Sequence, residues 1–493
     1  MTPPKMILLG LDGATFQVLD PLIATGKLPN FNRLKTEGCW SEISSNIHPI
    51  TPSAWASICT GLNPGKHGVF DFRKLDRENY RLDFVNGNSR KGETLWWVLS
   101  KKKKKVGIVN VPLTYPPEPV NGFMVSGMDT PFPTTHYTYP AGFSKEIEKA
   151  IGPYQIDLDG SCSSLEDYLA QVEAMFQKRI RFFEYLVTSH HELDLLFFVF
   201  VILDRFQHVL WKYLDPSQAA HALPEAAGYR KKVEQACCQI DELIGRYYFS
   251  NANLTSLMVV SDHGFGPLMK DVYLNRWLES IGLLVFKKSD FRGGIAFLEN
   301  IDWSRTQAYS YGFFGQINLN LKGREAQGIV KKGREEKRLR AYIKEKAMEF
   351  IDPATQQRVV TGFFFNEELY KGAHAVLGPD IVLILKDYAY ITRDGYESFT
   401  GDLFGEPMKY HDKAVPHSGN HRREGVFVFH RKDVLLKNTK LENTCLNDIF
   451  PTVLDFFDVK LPHHLDGRSL IPEIQGAPRV SFLKKVFSRL VRC

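Results

Sequence analysis

Three short apolar runs, each closed by an aspartate, constrain this chain more than any other feature. Residues 6–11 stop at Asp12-Gly13, residues 195–203 stop at Asp204, and residues 257–261 stop at Asp262-His263-Gly264. Continuous apolar runs of this length suit central strands covered on both faces. Helical spacing separates them, at 19–37 (interrupted at Pro29), 165–190 and 226–249, with shorter helices at 54–59, 94–100 and 448–457. Further strand patterns lie at 106–111, 122–127, 380–385 and 425–429. Strands alternating with helices predict an α/β fold: a doubly wound, mostly parallel central sheet with helices on both faces. The expected core runs through 1–130, 191–282 and 373–475. A helical insertion or lid at 131–190 and a cap at 283–372 interrupt it, and a basic tail at 476–493 follows.

Composition narrows the function classes. Apolar residues make up 44% and charged residues 24% of the 493, so most of the chain is expected to fold. A net charge of +6 admits anionic partners, but no nucleic-acid-binding module is present. The lysine run at 101–105 reads as a solvated loop. Seven scattered cysteines without CxxC spacing argue against a disulfide framework and against a thiolate zinc site. No signal-peptide pattern opens the chain, and the run at 195–203 is too short to span a bilayer, so a cytoplasmic protein is expected. In the tail, Val480, Leu483, Val486, Phe487, Leu490 and Val491 share a helical face among Lys484, Lys485, Arg489 and Arg492. Residues 479–493 could therefore contact an anionic membrane surface, making the protein peripheral there.

Ligands of open α/β sheets gather at the carboxyl ends of strands, where Asp12, Asp204 and Asp262 are expected. Asp204 and His208 are four apart, so a helix after the strand would put both on one face. Asp262 is followed at once by His263. Carboxylate plus imidazole without thiolate suits zinc, manganese or iron better than magnesium alone. The turn at 49–53 brings two hydroxyls, Thr51 and Ser53, to a helix start, and either could serve as a nucleophile.

These stretches, with residues 51–61, 63–68, 421–425, 448–452 and 466–467, resemble the alkaline phosphatase superfamily on its type I phosphodiesterase and nucleotide pyrophosphatase branch. The resemblance implies two divalent cations, zinc first and manganese as the alternative. One would be held by Asp12, Thr51, Asp262 and His263, the other by Asp204, His208 and His421. It also implies Thr51 as nucleophile, passing through a covalent phospho-enzyme, with Ser53 in reserve. One departure concerns the substrate. Where nucleotide-cleaving members carry an Asn that holds a phosphate oxygen, this chain has Phe72, which cannot donate a hydrogen bond. Lys66 or Arg73 could substitute, and His417 is a further candidate ligand or substrate contact. Residues 316–324 resemble the predicted phosphohydrolase and phosphomutase members, which nominates Asn318 and Arg324 as substrate contacts. The expected function is a metal-dependent phosphoric ester hydrolase, a phosphodiesterase foremost. Its substrate would be a phosphorylated small molecule, phosphoglycan or lipid head group. The alternatives are a phosphomutase or phosphotransferase on the same site, and a non-catalytic membrane-associated binding protein.

Overall fold

A computed structural model describes residues 3–158, 161–190, 192–287, 295–393, 402–407, 409–410, 415–433 and 436–476. The amphipathic face expected at 479–493 lies outside them. At the centre is a nine-stranded sheet in which five adjacent strands, Ser256–Val260, Met6–Leu11, Leu195–Phe200, Val106–Val109 and Gly122–Val125, run parallel. Glu424–His430 joins one side antiparallel, followed by Cys39–Ser44 and Thr439–Lys440, and Thr138–Tyr139 closes the other side. Met6 pairs with both Leu195 and Ser256, so the three strands start level and their carboxyl ends emerge side by side.

The pleat explains why these strands are apolar throughout. Ile7, Leu9 and Leu11 join Leu196, Phe198 and Phe200 in one core, while Met6 and Leu8 join Leu195, Phe197 and Val199 in a second on the opposite face. Helix Leu165–Ser189, expected within an insertion or lid, contributes Leu169, Val172, Phe176, Phe182 and Phe183 to the first core. It covers the sheet.

Two strand expectations change. The apolar run at 195–203 is strand only over Leu195–Phe200, and helix Ile202–Leu214 begins two residues later, so Asp204 sits on a helical first turn. An unbroken apolar run does not mark where a buried strand hands over to a buried helix. Ile381–Leu385, expected with the core, belongs to a separate four-stranded sheet with Ala308–Tyr309, Gly315–Leu319 and Val360–Phe365. That sheet and helix Arg334–Glu349 share their own apolar cluster. No helix among the described residues is long and apolar enough to cross a membrane.

Candidate active site

Three adjacent parallel strands deliver the three aspartates. Asp12 follows the central one directly, and its backbone N–H donates to Phe200 O at 2.9 Å. Asp262 follows one neighbour, Asp204 the other. Gly13 lets them meet: its φ is +69°, and a Cβ there would lie 3.0 Å from the Cα of Asp204. After Asp262-His263 the chain enters Gly264–Pro267, which pairs antiparallel with Gly419–Arg422 and sets Phe265 opposite His421. That short ribbon carries the last histidine into the site.

Thr51 is the first residue of helix Thr51–Thr60, with Pro52 in its first turn, where a missing N–H costs nothing. Its hydroxyl is buried and donates to His263 Nε2 at 3.3 Å. The Ser53 hydroxyl faces elsewhere, accepting from Asn46 Nδ2 at 3.0 Å. Asn46 also donates to Ser57, which contacts His67 Nε2 at 3.0 Å, so His67 braces this helix from behind.

Two groups of ligand-type atoms converge beside Thr51. His208 Nε2, His421 Nε2 and Asp204 Oδ1 form a triangle with sides of 3.1, 3.3 and 3.4 Å. Ligands about 2.0–2.1 Å from a tetrahedral zinc ion would stand about 3.3 Å apart. In the second group His263 Nε2 lies 3.3 Å from Asp262 Oδ2 and 3.6 Å from Asp12 Oδ1. The rings of His263 and His421 stack at 3.5 Å, so the two groups adjoin.

The hydrogen bonds around these side chains fit bound cations. His208, His263 and His421 each direct Nδ1 at a backbone carbonyl, of Gly419, Gly264 and Pro49 respectively. With the proton on Nδ1, all three Nε2 lone pairs point inward. Asp12 Oδ1, Asp204 Oδ1 and Asp262 Oδ2 are buried with no hydrogen-bond partner among the described residues, a costly state for a charged group. Burial, with the charge of Asp204, holds Asp12 well above its ordinary pKa. Burial, with Asp12 and Asp204, does the same for Asp262. Burial also presses on Asp204, but His208 and His421 beside it, when protonated, would pull that carboxyl well below the ordinary value. Burial and the neighbouring His421 keep His263 neutral. Positive charge between these groups would relieve the mutual repulsion of the acids.

A cavity of about 310 Å³ opens over Thr51, Asp204, His208 and His421. Its wall is mostly aromatic and apolar, with Phe72, Phe84, Phe313, Phe314, Met128 and Val209. Arg73 and His417 line it as well, the His417 ring stacking on His208 at 4.8 Å. Three residues nominated as substrate contacts are not in this lining. Lys66 Nζ binds Asp466 at 2.6 Å, Arg324 is forked onto Asp380 at 2.7 Å, and Asn318 is buried in the small sheet.

A family model for type I phosphodiesterases and nucleotide pyrophosphatases matches residues 6–419. The chain belongs to this family. It is thus a phosphoric ester hydrolase of the alkaline phosphatase superfamily, with groups of residues suited to holding metal. The match ends two residues short of His421, which the ribbon with Gly264–Pro267 brings in. Among solved structures, murine ectonucleotide pyrophosphatase/phosphodiesterase 5 is similar at TM-score 0.51 and 15% identity, over 96% of this chain and 99% of that one. An inactive variant of the same murine protein, in complex with AMP, is similar to the same degree. No curated protein matches the chain.

Sequence reasoning missed Trp55 and Arg205. Trp55 Nε1 donates to Asp12 Oδ2 at 3.0 Å, a contact across the fold that its place in an apolar helical segment does not signal. Arg205 and Val209 sit one position beyond Asp204 and His208 and line the same cavity, which the helical period of that segment could have flagged. Cys59, at the far end of the Thr51 helix, is buried and its thiol is pushed up to about 12, an inert group away from the site.

Proposed function

We propose that this phosphodiesterase transfers the phosphoryl group of its substrate to Thr51 before water releases it. The observation that carries the reading is the Thr51 hydroxyl, buried at a helix N-terminus and 3.3 Å from His263 Nε2, where the two ligand groups adjoin. Asp12, Thr51, Asp262 and His263 would hold one divalent cation and Asp204, His208 and His421 a second. The donor set favours zinc, with manganese as the alternative. Such cations supply Lewis-acid stabilisation for the attacking and departing oxygens of an in-line displacement.

The chain's own residues do the rest. Helix Thr51–Thr60 presents its N-terminal end, which favours an anion, to the phosphoryl group. Attack forms the bond from Thr51 Oγ1 to phosphorus and breaks the bond to the leaving alcohol, which departs with the threonine proton. Water then breaks the Thr51–phosphorus bond, restoring the hydroxyl and releasing the phosphate product. Trp55 fixes the rotamer of Asp12, and Pro49 O and Gly419 O fix the rings of His421 and His208.

The cavity wall suits a substrate with an apolar organic group. The AMP bound by the murine neighbour is a phosphate ester, but here Phe72 offers no donor to a phosphate oxygen, which weakens the reading of a nucleotide substrate. A phosphorylated small molecule or lipid head group fits better. The test is turnover of p-nitrophenyl mono- and diesters after reconstitution with zinc or manganese. Thr51→Ala should abolish it and keep the metal, whereas full metal-dependent turnover by the variant would exclude Thr51 as nucleophile.

A further inference from the structure

The wall of the active-site cavity contains a cation outside both ligand groups, near enough to Asp204 and Asp12 to feel their charge. Arg205 follows Asp204 on helix Ile202–Leu214, and with Val209 it faces the cavity beside the Asp204–His208 pair. Only one of its nitrogens has a partner among the described residues. Nη2 donates to Asp157 Oδ2 at 2.7 Å and reaches Met128 Sδ at 3.8 Å. Its Nε is buried without an acceptor. The Tyr168 hydroxyl donates to the Arg205 carbonyl at 3.3 Å, and Tyr168 also lines the cavity. The guanidinium is thus anchored at one corner, with no partner for its other nitrogens among the described residues, in the wall of the cavity that Thr51 also lines.

Among the described residues Asp157 is the carboxylate hydrogen-bonded to this guanidinium, while Asp204, which also lines the cavity, acts on it through its charge. Met128 and Val209 beside it in the wall offer no oxygen acceptor. We infer that Arg205 is a substrate-binding residue for a second anionic oxygen beside the scissile phosphorus, so that the site favours esters carrying more than one negative charge over singly charged diesters. The inference rests on the proposed reading of the site and narrows it to a substrate class. The second charge can come from the third oxygen of a monoester or from a neighbouring phosphate, as in a diphosphate diester. Arginine suits this task because it stays charged and its donors are rigidly placed.

Binding in a Thr51→Ala background separates this inference from the nucleophile assignment, because no turnover is required. Phenyl phosphate, P1,P2-diphenyl diphosphate and diphenyl phosphate are titrated calorimetrically into the metal-loaded protein. Arg205→Gln is expected to weaken one or both doubly charged ligands by about tenfold or more, the effect of losing a hydrogen bond to a charged group. Diphenyl phosphate should change by less than about twofold on the same scale. Which doubly charged ligand responds identifies the source of the second charge, and Arg205→Lys should recover part of the loss. Asp157→Asn leaves the guanidinium in the wall and should keep the discrimination. Equal weakening of all three ligands by Arg205→Gln, or the same loss in Asp157→Asn, would make Arg205 a structural strut and overturn the inference. If none of the three binds even with Arg205 intact, the phosphate-site reading itself falls.

Discussion

His208 and His421 point their Nε2 atoms at each other across 3.1 Å, while both Nδ1 atoms are committed to backbone carbonyls. Two lone pairs at that distance repel each other, and Asp204 Oδ1 at 3.3 and 3.4 Å adds a negative charge to the same space. A cation turns all three contacts attractive. Zinc or manganese added to chelated protein is therefore expected to raise its melting temperature by a few degrees, and a chelator to reverse this. His421→Ala should lower the bound metal by about one equivalent, measured by elemental analysis, because two protein ligands hold a divalent cation poorly.

Trp55 tunes the other ligand group through its bond to Asp12. Trp55→Phe keeps an aromatic side chain, though a smaller one, and removes the 3.0 Å N–H contact. Affinity for the metal should fall by about 10- to 100-fold in a competition assay with a fluorescent chelator, the usual effect of losing such a supporting bond. Gly10→Ala would act on the same residue sterically, since a Cβ there would lie 2.6 Å from the Trp55 ring. A destabilisation of about 1–3 kcal/mol is expected in urea unfolding.

Asp71 gives the pH dependence of stability a sign. Burial raises its carboxyl from 3.8 to about 6, partly offset by Arg73, and Gln316 Nε2 donates to it at 3.2 Å. The folded state therefore keeps a proton that the unfolded chain gives up first. Its contribution is fully present below about pH 3.8 and is lost as pH rises through about 6. The stability of the wild type relative to Asp71→Asn should fall by at most about 3 kcal/mol across that window. A difference that stays flat from pH 4 to 7 would contradict the assignment.

Much of this was legible in the residues because strand-end aspartates and an i,i+4 Asp–His pair are local patterns. Asp12, Asp204, His208, Asp262 and His263 could be nominated from neighbours in sequence alone. What the patterns do not carry is lateral order. That Met6–Leu11 lies between Leu195–Phe200 and Ser256–Val260, so that three distant aspartates meet, is a property of the sheet. The same limit explains the small sheet: Ile381–Leu385 reads as any buried strand, and only its partners assign it there. Arg324 and Asn318 are nominated by the resemblance of residues 316–324, but Arg324 is held by Asp380 and Glu325 and Asn318 lies buried in that sheet.

Phe72 offers a gain-of-function test for substrate preference. It lines the cavity, with its ring 6.4 Å from that of Phe313. Phe72→Asn would add a donor at the phosphate site. The ratio of turnover on p-nitrophenyl thymidine 5′-monophosphate to turnover on bis(p-nitrophenyl) phosphate should rise, by up to about tenfold for one hydrogen bond to a charged group. An unchanged ratio would remove Phe72 as the reason for a weak nucleotide preference.

The central claim is that the phosphoryl group passes through Thr51, and it can be observed directly. Metal-loaded enzyme turning over bis(p-nitrophenyl) phosphate is quenched in acid, digested, and the peptide spanning residues 51–61 analysed by mass spectrometry. The account predicts a p-nitrophenyl phosphoryl group on Thr51 in the quenched sample and none without metal. The same modification on Ser53, or an unmodified peptide during steady turnover under conditions that preserve a phosphothreonine ester, would contradict it.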